Sequence, residues 1–253
     1  MPALLIHGNP DTAALWDRVR EHLEPYGEEV VAADLPGFAH PAPDGFACTK
    51  EAYVQWIVER CEELGGHVHL VGHDWGSLLV QRVASTHAHL IDSVACGGAA
   101  VDVQYPWHPL AQVWQTPGEG ERYMAEELTD EFGIEHLIEN GVPPEDARRN
   151  MWLTPHGKTT ILKLYRSAVH IGAEWQPDLE RLEVPAMVIW GRTDPYVPLT
   201  FGERLAQRMR GELVVLECGH WWPYERPQET ASALLGLWVG ASAVRPPGAG
   251  PAR

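Results

Sequence analysis

Six short apolar segments, each bounded by glycine or proline, constrain the fold of this chain more than any other feature of its 253-residue sequence. They lie at residues 3–6, 29–34, 67–72, 90–96, 184–190 and 212–217. Most of the intervals between them carry helical patterns, at 16–23, 50–64, 78–88 and 202–209, and one more follows at 230–239. Apolar strands that alternate with helices are typical of a parallel sheet buried on both faces. The sequence therefore predicts a doubly wound α/β fold with a mostly parallel sheet of about six strands.

One interval, residues 101–182, is far longer than the others and contains no predicted strand. It is helical by pattern and holds four of the chain's 11 tryptophans, at positions 107, 114, 152 and 175. A stretch of this length is not a loop. We predict a helical cap at 101–182, inserted after the fourth strand into a core formed by residues 1–100 and 183–239. The Pro-, Gly- and Ala-rich tail at 240–253 is predicted to be disordered.

The composition argues against several classes of partner. The chain has 19 basic and 35 acidic residues and a net charge of −16, which disfavours binding to nucleic acid or to anionic membranes. No apolar run approaches the ~20 residues that span a bilayer, and the first residues lack the pattern of a signal peptide. The four cysteines are widely separated, as in proteins of a reducing compartment. We expect a cytoplasmic monomer or homodimer that binds neither nucleic acid nor membrane.

The segment Gly72-His73-Asp74-Trp75-Gly76 follows the third predicted strand and opens a helix. This is the glycine spacing of a nucleophile elbow, in which the central side chain projects from a sharp strand-to-helix turn. The central residue here is Asp74. A carboxylate is already ionised at neutral pH, so it can attack a saturated carbon without the help of a base. The histidines at positions 67, 69 and 73 have no carboxylate partner at ligand spacing other than Asp74, and we expect no metal site.

Together with three further motifs, the elbow resembles the α/β-hydrolase superfamily, in its aspartate-nucleophile branch of haloalkane dehalogenases and epoxide hydrolases. The three motifs, each after a predicted strand, are His7-Gly8-Asn9-Pro10, Gly191-Arg192-Thr193-Asp194 and Gly219-His220-Trp221. The order nucleophile, acid, histidine is the one that this fold uses. The resemblance runs from the first strand to about Val239. It implies a core without the family's usual N-terminal hairpin, and no cofactor.

The resemblance also implies roles for particular residues. Asp74 would attack the substrate and form an alkyl ester, and His220 would activate the water that hydrolyses this ester. Asp194 would orient the imidazole and stabilise its charged form. Asp102, directly after the fourth predicted strand, is a rival for the position of the acid. Backbone N–H groups of Trp75 and Asn9 would bind the oxyanion.

Two side chains favour haloalkane dehalogenation as the leading hypothesis. In haloalkane dehalogenases, the departing halide is bound by a Trp after the nucleophile and, in many members, by the Asn of an H-G-N-P motif. Trp75 and Asn9 match both positions, and their neutral N–H groups suit a soft anion in a dry site. Fluoroacetate-type dehalogenases usually carry Arg after the nucleophile, so Trp75 argues against that group.

Epoxide hydrolysis is the alternative hypothesis. Epoxide hydrolases protonate the departing alkoxide with cap tyrosines, and Tyr165 in Leu164-Tyr165-Arg166 resembles the second of these. Tyr105 and Tyr123 are candidates for the first. Another hydrolase with an aspartate nucleophile, or a non-catalytic ligand-binding protein of the same fold, remains possible on the sequence alone. The enzyme hypotheses all imply a small hydrophobic electrophile in an apolar pocket beneath the cap tryptophans.

Overall fold

The computed structural model describes residues 1–24, 27, 29–150 and 155–244, and the structural statements below concern these residues. Six strands form one sheet in the order β2-β1-β3-β4-β5-β6, with every neighbouring pair parallel. Their bounds are Ala3–Ile6 (β1), Val30–Ala33 (β2), Val68–His73 (β3), Ile91–Gly97 (β4), Ala186–Gly191 (β5) and Glu212–Leu216 (β6). The sheet confirms the prediction of a six-stranded α/β fold. The strand order reverses between β1 and β3, which is where open sheets of this kind bind ligands.

Helices connect the strands on both faces of the sheet. In chain order they are Asp17–Leu23 (α1), Lys50–Glu63 (α2), Trp75–Thr86 (α3), Pro109–Gln115 (α4), Glu119–Glu126 (α5), Asp130–Glu139 (α6), Pro144–Asn150 (α7), Pro155–Ser167 (α8), Ile171–Leu179 (α9), Leu199–Met209 (α10), Trp222–Glu225 (α11) and Pro227–Val244 (α12). The start of α2 is fixed by Thr49, whose hydroxyl accepts a hydrogen bond from the backbone N–H of Ala52. None of the helices in the described residues is both long and apolar enough to cross a membrane.

The interval that we predicted to lack strands, residues 101–182, is called the insert from here on. Its described residues form helices α4 to α9 between β4 and β5, and no strand is found among them. Several ion pairs join the insert to helices of the core, among them Arg18–Asp146 at 2.7 Å, Lys50–Glu174 at 2.9 Å and Arg82–Asp178 at 2.5 Å. Asp146 and Lys50 are almost fully buried, so these contacts hold the insert against the core at several points.

The predicted disordered tail begins too early. Residues 240–244, which we assigned to the tail, form the last turn of α12, because this helix continues to Val244 instead of ending at 239. Apolar residues of the same helix, among them Leu234 and Trp238, are buried against the core and hold it in place. The remainder of the predicted tail, residues 245–253, lies outside the described residues.

The sharp turn after β3 places Asp74 above the end of the sheet. Asp74 has φ +52°, a left-handed conformation that costs a non-glycine residue about 1–3 kcal/mol. The turn can form because helix α3 starts very close to β1. A Cβ atom on Gly76 would lie 2.2 Å from the carbonyl oxygen of Ile6, so only glycine allows this approach.

Candidate active site

The carboxylate of Asp74 is held by its neighbours in a defined orientation. Its Oδ1 accepts a hydrogen bond from the backbone N–H of Asn9 at 2.7 Å, and the backbone N–H of Trp75 donates to the same carboxylate. The close approach of the β1 loop requires Gly8, since a Cβ atom there would lie 2.2 Å from Oδ1 of Asp74. The second oxygen, Oδ2, lies 3.7 Å from Nε2 of His220. One oxygen is therefore bound by backbone donors, while the other faces the histidine.

His220 is oriented by Asp194 and not by Asp102. Nδ1 of His220 lies 2.8 Å from Oδ2 of Asp194, and Oδ1 of Asp194 accepts hydrogen bonds from the backbone N–H groups of residues 196 and 197 at 2.8 and 3.0 Å. Asp102 pairs instead with Arg204 and with Arg208, the latter at 2.6 Å. Its carboxylate is therefore occupied by two guanidinium groups on α10.

The pKa values of the two facing groups are shifted by burial and by each other. Burial raises the pKa of Asp74, and the charge of His220 together with the backbone hydrogen bonds opposes this rise. Burial alone would lower the pKa of His220, but the charge of Asp194, its hydrogen bond, and the charges of Asp74 and Asp11 raise it to about 9. His220 is therefore protonated at neutral pH as long as Asp74 keeps its negative charge.

His73, the residue before Asp74, ties the elbow to the histidine loop. Its Nε2 donates a hydrogen bond to the backbone carbonyl oxygen of His220 at 2.9 Å. The ring is fully buried, and burial lowers its pKa well below the ordinary value, so it stays neutral. His67 and His69 bond elsewhere, to Asp92 and Ser93. No cluster of three or more potential metal ligands is found among the described residues.

Asp11 is a further carboxyl group beside the site, and our sequence analysis missed it. It is 2% exposed, and its Oδ2 accepts a hydrogen bond from Nε1 of Trp221 at 3.0 Å. Burial raises its pKa to about 7, against the effect of the Trp221 hydrogen bond and with the help of the Asp74 charge. The sequence did carry one signal for it. Asp11 directly follows His7-Gly8-Asn9-Pro10, and a charged residue in a loop that lies beside the nucleophile has few groups available to neutralise its charge.

A cavity of about 310 Å³ lies over Asp74, between the loops of the core and the insert. Its wall carries many aromatic side chains, among them Trp75, Tyr105, Trp107, Trp114, Tyr123, Tyr165, Tyr196 and Trp221. Asn9 and His220 line the same space. Cavities of this size and apolar character are typical of sites for small uncharged ligands.

Tyr165 is the candidate tyrosine that reaches the leaving-group residues. It is 3% exposed, and its ring packs edge-to-face on Trp75 with the centroids 4.9 Å apart. Its hydroxyl oxygen accepts hydrogen bonds from the side chains of Trp75 and Asn9. Burial and the charge of Asp74 raise the pKa of Tyr165 well above its ordinary value, whereas these two hydrogen bonds act to lower it. The structure thus brings Asn9, Trp75 and Tyr165 together beside Asp74.

Tyr105 and Tyr123 also line the cavity but make other contacts. The hydroxyl of Tyr105 donates to the backbone carbonyl oxygen of Tyr196 at 3.3 Å. The ring of Tyr123 packs against Trp114, with the centroids 6.4 Å apart. Within the described residues, neither hydroxyl is hydrogen-bonded to Asn9 or Trp75, which distinguishes both tyrosines from Tyr165.

His108 lines the cavity, and the sequence analysis missed it as well. Its Nδ1 accepts a hydrogen bond from the backbone N–H of Ala111 at 3.2 Å, where it caps helix α4. Burial lowers its pKa to about 4, so the ring is neutral and carries its single hydrogen on Nε2. The ring lies 6.5 Å from that of Tyr165. Nothing in the sequence around it distinguishes it from the other histidines of the chain.

Comparison with known proteins identifies the family. The sequence model described as the alpha/beta hydrolase family matches residues 3–233, and the chain belongs to that family. It is a hydrolase of the α/β-hydrolase fold, as the resemblance implied.

Two sequence relatives bear the names of different reactions, and a solved structure shares the fold. Over 94% of this chain and 90% of its own length, epoxide hydrolase A of Mycobacterium tuberculosis is 25% identical to it. A 2-hydroxy-6-oxo-6-(2'-aminophenyl)hexa-2,4-dienoic acid hydrolase of Metapseudomonas resinovorans is 22% identical over 92% of this chain and 82% of its own. The crystal structure of a putative ancestral haloalkane dehalogenase is similar with a TM-score of 0.77, at 20% identity and with 96% and 92% of the two chains covered. Membership of the family therefore does not decide the reaction, which has to be argued from the site.

Proposed function

We propose that this protein is an epoxide hydrolase, which opens an epoxide to a vicinal diol through an ester on Asp74. The observation that carries the proposal is the position of Tyr165, whose ring packs on Trp75 with the centroids 4.9 Å apart in the cavity that Asp74 and Asn9 also line, and whose ionised form is stabilised by the side-chain donors of Trp75 and Asn9. These are the two donors that the sequence analysis assigned to a halide. With both donating to the phenol oxygen, the hydrogen of the hydroxyl is free to be directed at the substrate.

Such a phenol is prepared to act as an acid. When an epoxide opens, the ring oxygen becomes an alkoxide and has to be protonated. Burial and the charge of Asp74 raise the pKa of Tyr165, and the side chains of Trp75 and Asn9 oppose this rise by stabilising the phenolate. An alkoxide is a far stronger base than a phenolate, so it can take this proton as the ring opens. A halide needs no proton, so a buried tyrosine in this position has no evident task in dehalogenation. For this reason we place epoxide hydrolysis before haloalkane dehalogenation, which the sequence analysis had placed first.

In the first half-reaction, Oδ2 of Asp74 attacks a carbon of the epoxide. The carbon–oxygen bond breaks, and the ring oxygen takes the proton of Tyr165. The product is a hydroxyalkyl ester on Asp74, and the Tyr165 phenolate is hydrogen-bonded by Trp75 and Asn9. Because ester formation removes the negative charge of Asp74, it also removes one of the interactions that raise the pKa of His220. The proton of His220 can then return to the phenolate.

In the second half-reaction, neutral His220 takes a proton from water, and the hydroxide attacks the ester carbonyl carbon. Negative charge develops on Oδ1, which already accepts a hydrogen bond from the backbone N–H of Asn9, and the backbone N–H of Trp75 donates to the same carboxylate group. The tetrahedral intermediate expels the diol, which takes the proton from His220. The carboxylic acid left on Asp74 then protonates His220, so the resting ion pair is restored. Asp194 holds the imidazole in position throughout.

Other observations support the same proposal. Epoxide hydrolase A of Mycobacterium tuberculosis, which this chain resembles, bears the name of this activity. The neutral imidazole of His108, which also lines the cavity, carries a further N–H group close to Tyr165. We further propose that the insert acts as a cap, since it supplies Tyr165, His108 and much of the aromatic wall. The proposed substrate is a small hydrophobic electrophile.

Haloalkane dehalogenation is the second candidate, and one observation favours it. Asn9 and Trp75 place two neutral side-chain N–H donors beside Asp74, and they could turn to a halide if Tyr165 moved aside. The attack by Asp74 and the hydrolysis by His220 would be the same in both reactions. Only the leaving group and its acceptor would differ.

A paired assay separates the two candidates. Purified protein is incubated with styrene oxide and, separately, with 1-bromohexane, and diol and bromide are measured. We expect diol formation, and we expect Tyr165→Phe to lower its rate by about 10²-fold or more, because a general acid is lost. Tyr123→Phe, which removes a hydroxyl from the same wall, should change it little.

Three outcomes contradict the proposal. Bromide release without diol formation, with Tyr165→Phe fully active, would establish the dehalogenase. Diol formation that is unaffected in Tyr165→Phe would remove Tyr165 from the mechanism. No turnover of either substrate class would favour a ligand-binding protein of this fold.

A further inference from the structure

Trp107 has an unusual backbone conformation for a bulky residue. Its φ of +55° lies in the left-handed region, which tryptophan rarely adopts. It stands in the segment Pro106-Trp107-His108-Pro109, where helix α4 begins and the imidazole of His108 caps that helix. Strained residues of this kind persist where their surroundings fix them, and they concentrate at functional sites.

The ring of Trp107 contacts the residue that follows the nucleophile. The indole stacks on that of Trp75, the residue after Asp74, with centroids 5.7 Å apart and planes inclined by 27°. It also lies 5.6 Å from the ring of Tyr165. Trp75 and Tyr165 are 1% and 3% exposed, whereas Trp107 is only half-buried and lines the cavity. Part of its aromatic surface is therefore available to a ligand bound over Asp74.

The charges of the cavity wall restrict what that ligand can be. Among the described residues, the wall contains no lysine and no arginine, and the protonated imidazole of His220 is already paired with Asp194 and faces Asp74, so the wall offers no free counter-charge to an anionic substrate. Its carboxylates are Asp74 and Asp102, and the latter is already paired with arginines of α10. A wall of this composition favours an uncharged substrate, and its many rings favour an aromatic substituent.

We propose that Trp107 is a specificity-determining residue that stacks on an aryl substituent of the substrate, and that uncharged aryl epoxides are the preferred substrates. That the substrate is an epoxide rests on the proposed function, whereas the recognition of its aryl group does not. Held between Trp75 and the cavity, the indole places the aryl ring beside Asp74. The contact exists in both ground state and transition state, so it acts mainly on KM.

The test compares styrene oxide with cyclohexyloxirane, which carry the same epoxide and six-membered rings that differ in aromaticity. We expect kcat/KM of the unmodified protein to be about three- to tenfold higher for styrene oxide, the range of an aromatic contact. Trp107→Leu should lower this ratio by about the same factor, mainly through KM for styrene oxide, because the greater reactivity of the benzylic carbon is the same in both proteins. Trp107→Phe should keep most of the preference. An anionic analogue, 3-phenylglycidate, should be a poorer substrate than styrene oxide.

The matched control is Trp56→Leu, the same substitution at a half-buried tryptophan of α2 that stacks on Arg60 outside the cavity. It should leave the ratio of the two substrates unchanged. If Trp107 had only a structural role, Trp107→Leu would lower both rates together and keep the ratio. That result, or an unmodified protein with no aryl preference, would overturn the proposal.

Binding of the diol products by calorimetry keeps the inference testable if the protein opens no epoxide. 1-Phenyl-1,2-ethanediol should bind more tightly than 1-cyclohexyl-1,2-ethanediol to the unmodified protein and equally to Trp107→Leu. Absence of epoxide turnover together with this preference would refute the proposed function and support the role of Trp107. Equal affinities of both diols for the unmodified protein would refute the role of Trp107.

Discussion

Replacing Asp11 by asparagine should change the pH dependence of stability. Asp11 is buried, and its pKa of about 7 lies far above the ordinary value of 3.8. Between these two values the folded protein binds one proton more at this position than the unfolded chain does. The resulting stabilisation is complete below pH 3.8 and is lost as the pH rises through about 7. Asp11→Asn removes this loss, and its amide oxygen can still accept the hydrogen bond from Trp221.

The size of the effect follows from the shift. Raising the pKa from 3.8 to about 7 corresponds to roughly 4 kcal/mol between the two extremes of pH. Rearrangement around the ionised group reduces this figure, and we expect about 2–4 kcal/mol. Of this loss, only the part between pH 5 and about pH 7 falls within the range from pH 5 to pH 8.5, and these two pH units correspond to at most ~2.7 kcal/mol. Relative to the unmodified protein, Asp11→Asn should therefore be more stable at pH 8.5 than at pH 5 by about 1–3 kcal/mol.

Urea unfolding at 25 °C, followed by tryptophan fluorescence at both pH values, measures this difference directly. Comparing the variant with the unmodified protein at each pH cancels the titration of all other groups. Asp44→Asn, at an exposed position, controls for the loss of one surface charge. The reasoning is refuted if Asp11→Asn shifts the free energy of unfolding equally at both pH values, or more at pH 5.

Two further predictions concern the catalytic groups. His220→Gln should form the ester on Asp74 but hydrolyse it slowly, since only the second half-reaction needs a base. Intact-mass measurement should show the mass of one added epoxide. An unmodified mass, with bound substrate, would contradict the mechanism. Asp194→Asn should slow ester hydrolysis with little change in stability. Asp102→Asn should instead destabilise the fold by about 3 kcal/mol, because it leaves Arg204 and Arg208 without a carboxylate. Equal loss of activity in Asp194→Asn and Asp102→Asn would refute this division of roles.

The sequence predicted the features that depend on local pattern. Each strand was visible as an apolar run, and the elbow at Asp74 was visible from its glycines, because a tight turn between strand and helix needs them. The facing of Asp194 and His220 followed from topology, since the ends of parallel strands meet at one edge of the sheet. Where a short motif fixes the backbone, the side chain it carries could be placed without a structure.

The missed features depend on how the insert packs on the core. Asp11 acquires its raised pKa from burial against Trp221, which lies 210 positions away in the chain. The position of Tyr165 beside Asn9 and Trp75 results from the packing of α8, and no pattern in the sequence specifies it. The length of α12 was misjudged because its last turn is rich in alanine and glycine, a composition also typical of linkers.

The hydrogen bond that the backbone N–H of Asn9 donates to Oδ1 of Asp74 has an isotopic consequence for the proposed mechanism. The oxygen that attacks the substrate leaves with the diol, and an oxygen from water takes its place on Asp74. In water labelled with oxygen-18, the first diol from each molecule would thus carry an unlabelled oxygen from the protein, and later diols would carry the label. As long as the hydrogen bond to Oδ1 prevents the carboxylate from rotating, Oδ1 would keep its original isotope through every turnover. Asp74 would then contain one oxygen that is renewed in each cycle and one that dates from the synthesis of the chain.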